Sequence, residues 1–192
     1  MTRNSVEILK EEYDSLSNYL SDNKEISLLN DLSKSYRKIL LLSASSYFEF
    51  QITQILSDFA RSKSNHDDRL INFLVKQAIS KKYHTLFTWG ETDNLDKPQK
   101  TANTFFRLFG DNFKIEIEKE LKHSNEESQE EKNEKIRIKE SIEAFLEIGH
   151  HRNILVHSNI GDYNYEQKTA DEIFSLFKKA EPFLVYITTK LG

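Results

Sequence analysis

From Ser27 to Arg61 the chain runs without a glycine or a proline, while Leu28, Leu32, Tyr36, Ile39, Ser43, Tyr47, Phe50 and Gln54 recur at steps of three and four. A stretch of that length and period has one regular solution, an amphipathic α-helix that can serve as the spine of a domain. Its middle, Ser43-Ala44-Ser45-Ser46, is built of small residues, so a neighbouring helix can approach closely there. Serine is a weak helix former, and packing must hold that turn in place.

The same rhythm governs most of the remaining sequence. Val6, Leu9, Tyr13, Leu16 and Leu20 form one stripe of a first helix that Asp22-Asn23 closes. Asn65-His66-Asp67-Asp68 reads as a loop and helix cap before Leu70, Phe73, Leu74 and Ile79. Trp89-Gly90 and Asp93 to Pro98 carry turn chemistry, and Thr101 to Phe109 forms a short helix stopped by Gly110. Asp111 is placed to cap the segment that follows. There Phe113, Ile115 and Ile117 alternate as a strand would, but the Glu and Lys content and the spacing to Leu121 favour a helix. Residues 123–134 are acidic and without apolar side chains, a loop or a solvated helical tip. A penultimate helix begins with Ile136, Ile138, Ile142, Phe145, Leu146 and Ile148. After a polar turn at 158–164, a last helix carries Ile173, Leu176, Phe177, Ala180, Leu184 and Ile187, with Pro182 inside it.

The chain of 192 residues is the size of one domain, and 5 glycines with 2 prolines are too few for the turns of a β-sandwich or barrel. The expectation is a single all-α domain over residues 1–192, a helical bundle of about five to seven helices. No window reads as a membrane span, and the first residues lack a signal-peptide core, so a soluble cytoplasmic protein with no membrane partner is expected.

Function classes narrow in the same way. With no cysteine, disulfides, thiol nucleophiles and Cys-ligated zinc are excluded, which leaves His, carboxylates, hydroxyls and Lys or Arg for any catalysis. The net charge of -4 advertises no polyanion partner at whole-chain level. Residues 135–192 nevertheless hold 8 Lys and Arg against 8 Asp and Glu, so the acid excess lies upstream of them.

Three of the six histidines fall in the string Gly149-His150-His151-Arg152-Asn153-Ile154-Leu155-Val156-His157. At about 100° per residue, Asn153, His157 and His150 fall within about 60° of one another, and the long Arg152 side chain can swing to the edge of that face. Histidine titrates where RNA cleavage needs a base for the ribose 2′-OH and an acid for the leaving 5′-oxygen, and arginine matches phosphate oxygens with a planar fork. One protomer offers one such histidine on the Arg-Asn-His strip, whereas two facing protomers would offer two. Glu147 and His151 stand four apart, yet no third metal ligand accompanies them, so no metal and no cofactor is called for. The aromatic residues Tyr47, Phe48, Phe50, Trp89, Phe105 and Phe106 sit at core spacing rather than as a base-stacking platform.

Arg152 to His157, with Asn153 directly after the arginine, resembles the R-x-x-x-x-H motif of the HEPN superfamily. The resemblance extends to the long second helix with its Ser-rich, Glu-containing stretch from Ser43 to Phe50, and it is closest to the stand-alone RiboL-PSP-HEPN branch. It implies a HEPN-like helical bundle, a homodimer with the motif helices at its interface, and metal-independent endoribonuclease activity on RNA in a toxin–antitoxin or antiviral setting. An antitoxin or inhibitor protein would be the further partner. Arg152 and His157 match the catalytic pair and Asn153 its polar companion, with His150 in possible support, while Glu49 and Ser45 loosely match a polar position on an earlier helix. Where related toxins carry a nucleotide-accepting tyrosine two residues after the motif histidine, this chain has Asn159; Tyr163 and Tyr165 stand further on. The same resemblance fits a catalytically silent module that binds a nucleotide or partner through the same helix.

Overall fold

The computed structural model describes residues 3–91, 93–94, 96–122, 127–157 and 168–192. The turn expected at 158–164, with Asn159 and Tyr163, lies outside them, as do Tyr165 and residues 123–126 of the acidic run. Among the described residues there are eight α-helices: α1 (Ser5–Asp22), α2 (Ile26–Lys63), α3 (Asp68–Leu74), α4 (Ser80–Leu86), α5 (Asn103–Arg107), α6 (Asp111–Leu121), α7 (Gln129–His157) and α8 (Ala170–Leu191). The all-α expectation holds, with one helix more than five to seven. The third expected helix continues as a π-helical stretch, Val75–Ile79, and then as α4.

Local chemistry sets most boundaries. Asn4 caps α1 in a reciprocal box with Glu7, and Thr169 does the same for α8 with Glu172. The Asp67 side chain accepts from the Leu70 amide at 2.8 Å and starts α3. The start of α6 differs from expectation: Gly110, at φ 106°, is its cap, and Asp111 is already inside the first turn. A positive φ there is a place for glycine. Helix α7 begins at Gln129, so the second half of the acidic run is the solvated tip of a helix.

Helices α2, α7 and α8 pack together as the centre of the bundle, and α1 lies along α2. The stripe read from sequence on α2 is displaced by about one residue. Leu28, Ile39 and Phe50 face solvent, whereas Leu41, Ala44, Ser45, Phe48, Ile52 and Leu56 are buried. The apolar run Leu40-Leu41-Leu42 satisfies either face, and α7 and α8 select one.

The core is largely phenylalanine. Phe48 lies 5.4 Å from both Phe145 of α7 and Phe177 of α8, Phe145 lies 5.0 Å from Phe183, and Phe87 stacks on Phe105 at 4.6 Å. Offset and edge-to-face pairs of this kind add stabilisation beyond burial alone, about 0.5–1.5 kcal/mol each. Of the six aromatic residues singled out in the sequence, Phe48, Phe105 and Phe106 are buried, Tyr47 and Trp89 pack against the core, and Phe50 is exposed. No helix among the described residues is long and apolar enough to cross a membrane.

Candidate active site at the end of helix α7

The last turns of α7 carry the Arg-Asn-His string. Gly149 and His150 are buried at the base of this segment, Arg152 and Asn153 are half-buried, and Val156 and His157 are exposed at its tip. Between Arg152 and His157 only Leu155 is fully buried, anchoring the segment to the core. Arg152 Nη1 donates to Asn153 Oδ1 at 3.2 Å. No hydrogen bond joins Asn153 to His157 among the described residues, so the asparagine steadies the arginine rather than the histidine. No carboxylate among the described residues forms an ion pair with Arg152. The nearby Glu147 instead pairs with Lys168 at 2.8 Å, and Lys168 also gives its carbonyl to Arg37 Nη1 at 3.4 Å. The start of α8 is thereby tied to both α7 and α2.

Two residues of α2 were expected near this site. Ser45 is buried in the helix's core face. Glu49, one turn later, is half-buried, and its charge reaches the buried hydroxyl of Tyr83 on α4. Burial pushes the Tyr83 phenol far above its ordinary pKa, Glu49 raises it further, and the Arg152 guanidinium opposes the rise. Glu49, Tyr83 and Arg152 thus share one electrostatic neighbourhood. Nothing in the sequence marks Tyr83, because its place depends on the π-helical turn that carries α4 back against α2.

His150 has a different environment from the rest of the strip. The residue is 4% exposed and its Nε2 lies 3.2 Å from the backbone carbonyl of Asp96, to which an Nε2–H donates. The connection from Phe87 to Ala102 folds back on itself to present that carbonyl. Gly90 and Pro98 pair as an isolated antiparallel bridge, Gln99 N donates to Trp89 O at 2.7 Å, and Asn94 Oδ1 accepts from Asp96 N at 3.1 Å. The Trp89 ring lies against Gly149, where a Cβ would overlap three of its ring carbons, and its indole Nε1 donates to His84 O at 2.9 Å. The turn residues of this connection were legible in the sequence. Their partner on α7 was not, since a backbone carbonyl leaves no signature.

His151 packs edge-on against His150 at 5.2 Å. Burial, followed by the neighbouring His150, lowers its pKa to about 4, only partly offset by Glu147, so it stays neutral near pH 7. The chemistry available at the helix tip is therefore an exposed imidazole and a positive guanidinium with an amide partner. A family model described as RiboL-PSP-HEPN matches residues 7–192. No curated protein and no solved structure matches the chain.

Proposed function

From the premise that the chain belongs to the RiboL-PSP-HEPN family, we propose that it is a metal-independent endoribonuclease built on Arg152, Asn153 and His157. HEPN membership by itself points to an RNase or nucleotide-related role. The observation that carries the finer reading is the tip of α7. There Arg152 is held by Asn153, free of any carboxylate ion pair among the described residues, on the same helix end as the exposed His157.

In this reading an imidazole removes the proton of a ribose 2′-OH as that oxygen attacks the adjacent phosphorus. A second imidazole, protonated, delivers a proton to the departing 5′-oxygen, leaving a 2′,3′-cyclic phosphate and a 5′-hydroxyl. Arg152 carries the charge that accumulates on the phosphate oxygens, and the Asn153 amide keeps its guanidinium pointed. The second histidine is the His157 of another copy, which makes the working unit a homodimer with its α7 tips facing across a two-fold axis. The setting that suits such an activity is cytoplasmic toxin–antitoxin or antiviral defence, with an antitoxin or inhibitor protein holding the nuclease in check.

The test is incubation of total RNA with the purified protein in EDTA, beside Arg152→Ala and His157→Ala variants. Cleavage by the unmodified chain alone, with cyclic-phosphate ends, is the expected result. Intact RNA in every lane, with all three proteins folded, would instead favour a module that binds without cutting.

A further inference from the structure

Two contacts fall on consecutive residues of α7, one turn before Arg152 and Asn153. Trp89 covers Gly149, and the carbonyl of Asp96 takes the hydrogen bond of His150. Both come from the same connection, in which Gly90 pairs with Pro98 and the Asn94 side chain accepts from the Asp96 amide. Beyond them the helix end is poorly held: Leu155 is its one fully buried residue among the described ones, and Val156 and His157 project outward. A helix end of this kind frays unless something fixes the turn at its base.

We infer that His150 is a positioning residue, not a proton-transfer group: with Trp89 it clasps α7 to the 87–98 connection and sets the direction in which the Arg152–His157 tip points. The inference rests on the nuclease reading for its consequence in catalysis, but the clasp itself is independent of it. A histidine with 4% of its surface exposed meets no substrate, and its Nε2 is occupied by a main-chain acceptor. Buried polar side chains such as His150 are hydrogen-bonded to hold geometry, and loss of the imidazole leaves the Asp96 carbonyl without this donor. Displacement of a catalytic group by about 1 Å costs up to about 100-fold in rate, so a loosened base would be felt at the tip.

The experiment compares His150→Gln, whose side-chain amide can donate in the position of Nε2, with His150→Leu, which fills similar space without a donor. Amide hydrogen exchange over residues 151–157 and steady-state RNA cleavage are measured on the full chain. The expected result is exchange at least about tenfold faster in His150→Leu and within about twofold of wild type in His150→Gln. Cleavage should follow the same order, with turnover lowered about 10- to 100-fold in His150→Leu at nearly unchanged KM. If His150→Leu does not fold, Asn94→Ala, which removes the side-chain acceptor shaping the connection, should raise exchange over the same residues. Unchanged exchange in His150→Leu, or in Asn94→Ala where that variant stands in, would overturn the clasp. Equal loss of turnover in both His150 variants, with native exchange, would overturn the positioning role and make His150 a chemical participant. Absence of cleavage by wild type would count against the nuclease reading alone, since the exchange data still decide the clasp.

Discussion

Gly149→Ala gives opposite signs when argued from the helix alone and from the packed molecule. In the middle of α7 alanine is the better helix former, so the substitution considered locally stabilises by about 1 kcal/mol. In the structure the new methyl would lie under 3.0 Å from Cζ3, Cε3 and Cη2 of Trp89. The indole is held by a hydrogen bond and by its ring neighbours. Its Nε1–H is bonded to His84 O at 2.9 Å, and its ring lies 5.1 Å from Phe87 and 5.9 Å from both Tyr83 and Phe145. Moving it gives up a hydrogen bond of about 1 kcal/mol and ring contacts of about 0.5–1.5 kcal/mol each, while leaving it in place forces overpacking of about 1–3 kcal/mol. With the propensity gain of about 1 kcal/mol subtracted, the less costly of the two routes leaves the variant less stable by up to about 2 kcal/mol. Urea unfolding followed by far-ultraviolet circular dichroism measures this as a lower midpoint at unchanged slope. Removing the indole should reverse the sign, so in the Trp89→Leu background the same change should be neutral or stabilising, a coupling of at least about 1 kcal/mol. A Gly149→Ala protein more stable than wild type by the full propensity gain of about 1 kcal/mol would refute the Trp89 contact and the clasp that depends on it.

Three further outcomes follow from the same structure. His151 has a folded pKa of about 4 against an ordinary 6.5, so the stability it contributes is present above pH 6.5 and is lost as pH falls toward 4. The loss is at most about 3 kcal/mol and nearer 1–2 kcal/mol for a partly exposed ring, and a His151→Gln variant should show a flatter stability profile over that window. Gly110→Ala meets no neighbour within 4 Å yet sits at φ 106°, so backbone strain alone should cost about 1–3 kcal/mol in thermal or urea unfolding. Lys10 is 8% exposed and lies between Asp14 at 2.6 Å and Asp171 at 2.7 Å, both of which reach water. Lys10→Met should therefore change stability by less than about 1 kcal/mol, while Asp14→Asn with Asp171→Asn, which strands the cation, should cost about 2–3 kcal/mol; equal effects would contradict the burial of Lys10.

What the sequence determined by itself is what neighbouring residues determine. The three- and four-residue rhythm gave the helices, Asp67 and Asn23 gave their ends, and the string from Arg152 to His157 marked a candidate site, because these signals act within a turn or two of chain. The Glu and Lys content correctly outweighed the alternation at Phe113, Ile115 and Ile117, and α6 is a helix. Tertiary structure decided whatever compares alternatives that are locally equal. Leu40-Leu41-Leu42 permits two faces of α2, and only burial against Phe145 and Phe177 chooses the one through Phe48. Gly149, a poor helix residue, is required by an indole sixty positions earlier in the chain, and His150 is distinguished from His157 by a carbonyl that any residue at position 96 would carry. Tyr83 reaches the neighbourhood of Glu49 and Arg152 through the path of the chain and not through its own spacing. Such choices rest on contacts between segments far apart in sequence, whose free energies exist only once the whole core has closed.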